Sequence, residues 1–236
     1  MKEMLELERQ HKILEYLLQR KSASVQALAK LLYVSEPTIR RDLTKMEEQG
    51  SVLRTHGGAV LRNNIEGETS LQYRESQNTM AKKVIAEKAA KLIHNGDVLF
   101  MDASSTASYL LPHLEKLNDI VVITNSPKLS VRLGERGIKN YCTGGLLLPH
   151  SVSYVGNDAI RFVSKLNADL FFFSSDGVSA DGVITDTNME ETEITRAMIA
   201  QAQKSYLLYD TSKLDKKFLY SVCNVEEIAG AISETN

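Results

Sequence analysis

In the N-terminal part of the chain the apolar residues recur at helical spacing three times, then change period. Ile13, Leu14, Leu17 and Leu18 form i, i+4 pairs on one face of a first helix over residues 5–18. Ser22 and Ser24 open a second, in which Val25, Leu28, Leu31 and Leu32 repeat at helical spacing. Val34 sits in a very short connection before Ser35, which can N-cap a third helix with Pro37 in its first turn. Ile39, Leu43 and Met46 then share one apolar stripe. After Gly50, the segment SVLRTHGGAVLR reads as two short strands around a Gly-Gly turn. Two helices joined by so little chain, followed by a hairpin, make a helix-turn-helix with a β wing.

Residues 61–78 are polar and hold no sustained period, so they read as a linker, with Tyr73 and Arg74 docking on the domain C-terminal to it. Ala81, Val84, Ile85, Lys88, Ala89 and Leu92 then mark an amphipathic helix over residues 80–93. Beyond it apolar strands alternate with helices. VLFMD runs into a helix from Thr106, and IVVIT into one opening at Ser126 and Pro127. IKNYCT leads to Gly144-Gly145 and a helix over residues 156–164. ADLFFFSS leads to Asp176-Gly177 and a helix over residues 190–202, and SYLLYD leads to Thr211, Ser212 and Lys213. Near-continuous apolar strands with helices between them predict a mostly parallel sheet covered on both faces. The expected architecture is α/β: a winged helix-turn-helix over residues 1–60, a linker over 61–78 and a larger α/β domain over 79–236.

The third helix carries the first candidate chemistry. Arg41 points away from the apolar stripe, and Thr38, Arg40, Thr44 and Lys45 spread to either side of it. Arginine forks reach guanine edges and phosphates, and Thr touches thymine methyls or phosphate oxygens, so this face suits a DNA major groove. A basic helix face alone would equally be a solvated surface; the helix-turn-helix that contains it separates the two. Ser35, Thr38, Arg40, Arg41, Thr44 and Lys45 are the candidate contacts, with Arg54, His56 and Arg62 on the wing. His56 reads as well as a turn residue. Asp42, acidic on a basic helix, suggests an internal ion pair with an arginine. Charge agrees with this division: residues 1–62 hold 11 Lys and Arg against 8 Asp and Glu, and the remainder 17 against 22.

In an open parallel sheet the loops leaving the strands' carboxyl ends gather on one edge, where ligands bind. Asp102, Ser104, Ser105 and Thr106 place small hydroxyls at a helix start, where free N–H groups favour a phosphate. Thr124, Asn125 and Ser126 repeat the device, Gly144 and Gly145 admit close backbone approach, and Lys213 offers a cation. Asp102, Asp176 and Glu191 could accept hydrogen bonds from sugar hydroxyls. Each motif alone is commonly only a cap or a turn; their collection on one predicted edge argues for a site.

Other classes have little support. The histidines and the two cysteines, Cys142 and Cys223, show no metal-ligand or nucleophilic-triad spacing, so no metal, cofactor or catalytic residue is expected. The charged first dozen residues do not resemble a signal peptide, and no apolar run approaches a membrane span, which points to a cytoplasmic protein with reduced thiols.

Arg9 and Ile13, then Ser35-x-x-Thr38-Ile39-Arg40-Arg41-Asp42-Leu43, then Arg54-x-His56-Gly57-Gly58-Ala59, resemble the DeoR family of bacterial transcriptional regulators. The resemblance continues through KKVIAEKAAKLIHNGDVLFMDASSTA, VVITNS, TGG, SYVG, NADLFFF, EETEITRAMI and DTSK. It implies operator binding by the winged helix, with Thr38, Arg40 and Arg41 at the interface. It also implies a sensor domain resembling the sugar-phosphate isomerase and glucosamine-phosphate deaminase fold. There Ser104, Ser105 and Thr106 would cradle a phosphate, Lys213 would assist, and Asp102, Thr124, Asn125, Gly144, Asp176 and Glu191 would line a sugar pocket. Pro112 departs from the pattern and should end or kink the helix after the phosphate loop. The expected function is a repressor of sugar-metabolism genes, a homodimer or tetramer on double-stranded operator DNA, modulated by a phosphorylated sugar. The alternative is a sugar-phosphate isomerase or deaminase carrying a DNA-binding module.

Overall fold

The computed structural model describes residues 5–48, 51–61 and 70–236. It divides into two compact units, Met1–Gln77 and Asn78–Asn236. Residues 62–69 of the expected linker, Arg62 among them, and the side chain of Leu18 lie outside the described residues.

The first unit contains α1 (Glu6–Arg20), β1 (Ser22–Ser24), α2 (Val25–Leu32), α3 (Glu36–Glu48), β2 (Val52–Thr55), β3 (Gly58–Leu61) and α4 (Leu71–Ser76). Ile13, Leu17, Leu28, Ile39, Leu43, Met46 and Val52 bury one face of each element in a shared core. Ser24 caps α2 by accepting the Ala27 N–H at 3.1 Å, and Ser35 caps α3 by accepting that of Thr38 at 3.3 Å. The wing turns at His56-Gly57 instead of Gly57-Gly58, because Gly58 is already a strand residue. There β3 lies between β2 and β1, and a Cβ on Gly58 would fall 1.9 Å from the Ala23 carbonyl oxygen. Glycine is required at that point by close backbone approach. Within the span read as linker, α4 forms with Ser70 accepting the Tyr73 N–H; Leu71 is buried and Tyr73 packs on this same core, the reverse of the expected direction.

The second unit begins with α5 (Thr79–Ala90), β4 (Val98–Met101), a 3₁₀ turn at Ala107–Leu110, α6 (Leu111–Leu114), β5 (Val121–Thr124), α7 (Pro127–Gly134) and β6 (Lys139–Cys142). It continues with β7 (Leu146–Leu148), β8 (Ser153–Val155), α8 (Asn157–Val163), β9 (Ala168–Phe173), β10 (Gly177–Val178), β11 (Val183–Asp186) and α9 (Met189–Gln201). It ends with β12 (Ala202–Leu208), a 3₁₀ turn at Thr211–Lys213, β13 (Tyr220–Asn224) and β14 (Gly230–Ile232). Six strands form one sheet in the order β14-β12-β9-β4-β5-β6, with every pairing parallel. Side-chain alternation divides the core between its faces. Leu99, Met101, Leu170 and Phe172 join α5, α6 and α7 on one side, and Phe100, Phe171 and Phe173 join α8 and α9 on the other. Phe171 stacks on Phe173 at 5.1 Å and meets Phe100 edge-on at 6.1 Å.

Two small sheets were not apparent from the pattern: the antiparallel ribbon β7-β8 and the antiparallel sheet β10-β11-β13. The single helix expected from Thr106 is a 3₁₀ turn followed by a short α6, with Pro112 in its first turn. No described helix is long and apolar enough to cross a membrane.

Candidate functional site

On the first unit, α3 hides Ile39, Leu43 and Met46 and turns its basic residues outward. Asp42 is the exception and is buried. Its carboxylate takes a bidentate fork from Arg9 of α1, Nε at 2.5 Å and Nη2 at 3.0 Å. This fixes α3 against α1 and accounts for an acid on a basic helix. Arg41 is fully on the exposed face, and Arg40 shares a loose i, i+4 pair with Glu36 at 3.6 Å. The Thr44 hydroxyl bonds back to the Arg40 carbonyl and accepts Arg54 Nη1 at 2.9 Å, so wing and helix present one surface. Lys45 is held by both Glu6 carboxylate oxygens, at 2.7 and 2.9 Å, and its charge is partly matched there. That pairing is the largest influence holding the Glu6 carboxyl below its usual value. His56 stands exposed at the wing tip, and Ser35 and Thr38 share a hydroxyl bond of 2.8 Å at the start of α3. Tyr33, in the turn before α3, is 86% exposed and was not singled out by the apolar pattern.

On the second unit, Asp102 follows β4 and uses both carboxylate oxygens on backbone: Oδ1 accepts the Ser104 N–H at 3.0 Å and Oδ2 that of Ser174 at 2.8 Å. It ties the loop after β4 to the loop after β9. Ser104 then caps the 3₁₀ turn, accepting the Ala107 N–H at 3.1 Å. Ser105 and Thr106 are buried, and among the described residues their backbone N–H groups carry no hydrogen bond. Such orphan donors at a helix start are free for an anion.

Thr124, at the end of β5, is buried and its hydroxyl accepts the Ser126 N–H at 3.0 Å. Asn125 exchanges two bonds with Tyr154 of β8, at 2.7 and 3.1 Å, and so anchors the ribbon beside the loops. Its Oδ1 is buried without a partner, an acceptor waiting for a donor. Gly144 has open space around its Cα, whereas a Cβ on Gly145 would meet the Val155 carbonyl at 2.5 Å.

Asp176 joins several of these parts. Its Oδ2 accepts the N–H and hydroxyl of Thr187, its Oδ1 lies 3.6 Å from Lys213 Nζ, and its own N–H donates to Asp186 at 2.7 Å. Asp186, missed in the sequence, ends β11. Burial pushes its carboxyl well above the ordinary range; the charges of Asp176, Glu191 and Asp102 add to this, against the Asp176 N–H. Glu191, in the first turn of α9, accepts the Ser153 hydroxyl at 2.8 Å and lies 3.9 Å from His150 Nε2. The signal for Asp186 was present, since VITD ends in an acid as VLFMD and SYLLYD do; His150 and Ser153 sit on a ribbon that the pattern did not show. Among the described residues no group of three or more His, Cys, Asp or Glu could hold a metal ion.

The model of the DeoR-like helix-turn-helix domain matches residues 9–64, and that of the DeoR C terminal sensor domain matches residues 77–235. The chain is 35% identical over 226 residues to the HTH-type transcriptional repressor GlcR of Bacillus subtilis, covering 95% of this chain and 87% of the relative. It is 34% identical over 229 residues to the L-fucose operon activator of Escherichia coli, covering 96% and 94%. Among solved structures, eIF2B delta from Chaetomium thermophilum matches with a TM-score of 0.51 and 16% identity, over 97% of this chain and 71% of that one.

Proposed function

The chain belongs to the DeoR family of transcriptional regulators, and from that membership we propose a DNA-binding regulator of sugar metabolism whose operator affinity responds to a phosphorylated sugar. The observation that carries the reading is α3. Its apolar stripe is buried while Arg40 and Arg41 face outward beside Arg54 of the wing. Arg41 is the residue placed to read base edges; Arg40, Arg54, Ser35, Thr38 and His56 hold the backbone. Lys45 gives up its link to Glu6 if it joins them. Repression is our reading of the sign, although a relative of similar identity is named an activator.

The sensor reading rests on the unused donors of Ser105 and Thr106 and on the partnerless Asn125 Oδ1. A phosphate takes the two N–H groups and the Lys213 charge; sugar hydroxyls reach Asn125, Asp176 and Glu191. Asp102 acts by shaping the loop, since backbone N–H groups occupy both its oxygens. A ligand that prefers one state of the molecule shifts DNA affinity; a coupling of about 1–3 kcal/mol gives roughly 5–150-fold.

The test is selection of duplexes from a random pool by the purified chain, followed by titration of the selected duplex with and without sugar phosphates. Failure to enrich any duplex defeats the reading. Turnover is the second reading, because three carboxylates, Asp176, Asp186 and Glu191, lie near one another, and burial raises that of Asp186 above the ordinary range. Conversion of a bound sugar phosphate, abolished by Asp186→Asn, would establish it.

A further inference from the structure

Tyr33 is where α2 ends and the turn to α3 begins, and two features of it do not serve the fold. Its side chain is 86% exposed, more than any other large apolar or aromatic residue of the described chain. Its backbone is left-handed, φ 55° and ψ 41°, and its N–H closes the helix on the Ala29 carbonyl. That conformation at a helix C-terminus is the one glycine adopts without steric penalty and asparagine tolerates. A tyrosine here is thus unfavourable for the backbone and buries almost nothing. The neighbouring residues say what it is placed beside: Ser35 and Thr38 begin the proposed reading helix two and five positions on.

We infer that Tyr33 is a DNA-backbone contact, its hydroxyl donating to a phosphate that flanks the groove occupied by α3. Tyrosine is among the side chains that bond phosphate oxygens and fix register without reading sequence. The inference rests on the DNA-binding reading above. Being neutral, this contact differs from the arginines in a measurable way. Loss of a cationic contact lowers the salt dependence of binding, whereas loss of a neutral hydrogen bond weakens binding at unchanged slope.

The experiment compares the wild-type chain with Tyr33→Phe and Tyr33→Gly on a duplex enriched by the wild type and on a random-sequence duplex, each over a range of salt. Tyr33→Phe should weaken both complexes by roughly three- to tenfold with parallel salt plots. Tyr33→Gly should weaken them at least as much while raising the melting temperature, because it relieves the left-handed strain. Wild-type affinity in Tyr33→Phe, or a changed salt slope, overturns the inference. A wild-type chain that retains neither duplex overturns the DNA-binding reading itself, which is a separate outcome.

Discussion

At the scale of the residue, charge and burial decide which side chains act and which support. Asp42 is the clearest case: it sits amid arginines on the reading helix yet is an internal partner of Arg9, with side chains 2% and 12% exposed. Removing one member of a buried pair leaves the other uncompensated, at a cost of about 3–5 kcal/mol. Arg9→Met should therefore lower the stability of the first unit by that order in denaturant unfolding, though Arg9 touches no base in the proposed mode. Arg41→Ala should do the opposite, leaving the unfolding midpoint nearly unchanged while weakening the selected duplex and relaxing base preference. Loss that is uniform across sequences would reassign Arg41 to a phosphate. The thiols behave as supports. Burial, then the charge of Glu227, pushes Cys223 up to about 12, and burial raises Cys142. A thiol whose pKa is raised on folding stabilises the native state fully below its unfolded pKa. That contribution is lost as pH rises from about 9 towards the folded value. Alkylation of either thiol at neutral pH should be slow in the native chain and fast after unfolding, and alkaline stability should fall above pH 9.

At the scale of the element, legibility followed the continuity of the apolar pattern. The helices α1, α2 and α3 and the strands β4, β5, β9 and β12 each carry several apolar residues at one period, and sequence alone locates them. The ribbon β7-β8 and the sheet β10-β11-β13 consist of strands of two to five residues; β11 (VITD) and β13 (YSVCN) are as long as β4 and β5, but polar residues break their apolar runs. His150 and Ser153, which ride on the ribbon, were hidden for the same reason, whereas Asp186 ends VITD as an acid ends VLFMD and SYLLYD and was passed over. The caps were legible because they depend on local chemistry, whereas Gly58 and Gly177 proved to be strand residues and not turn residues, and partners were hidden: that Asn125 would hold Tyr154 is a long-range fact. Gly145 tests whether the ribbon is held as a unit. It has φ 113°, and a Cβ there would lie 2.5 Å from the Val155 carbonyl and 3.2 Å from the Ala159 side chain. Gly145→Ala should cost at least about 2 kcal/mol, since a strained φ and a backbone clash combine. It should also free the β7-β8 amides to exchange faster than those of β4 or β9. Uniform exchange across the unit would show that the ribbon is not a separate element.

At the scale of the whole molecule, a regulator needs its two functions to be energetically linked yet separately removable. In the proposed division the orphan N–H groups and Lys213, which also pairs with Asp176, hold the anion, and the arginines of α3 hold the duplex, so each can be disabled without the other. Lys213 is the better probe on the sensor side, because Ser104 also caps the turn after it and its loss would mix stability with binding. Lys213→Ala should leave duplex affinity intact and remove most of the response to a sugar phosphate, moving the half-effective concentration by tenfold or more. If Lys213→Ala instead abolishes duplex binding in a chain that melts normally, sensing and reading are not divided as proposed. The number of copies on the duplex follows from the same reasoning. One winged module makes few base contacts, and each good bidentate contact discriminates by about 1–3 kcal/mol. A regulator facing a genome of competing sites needs several such contacts at once. Two modules on half-sites about one helical turn apart supply them, so the mass of the complex on a selected duplex should correspond to two or four chains. Cutting that duplex to one half-site should lose far more than half the binding free energy expected of independent modules. A single chain bound with undiminished affinity on the half-site would remove the need for an oligomer.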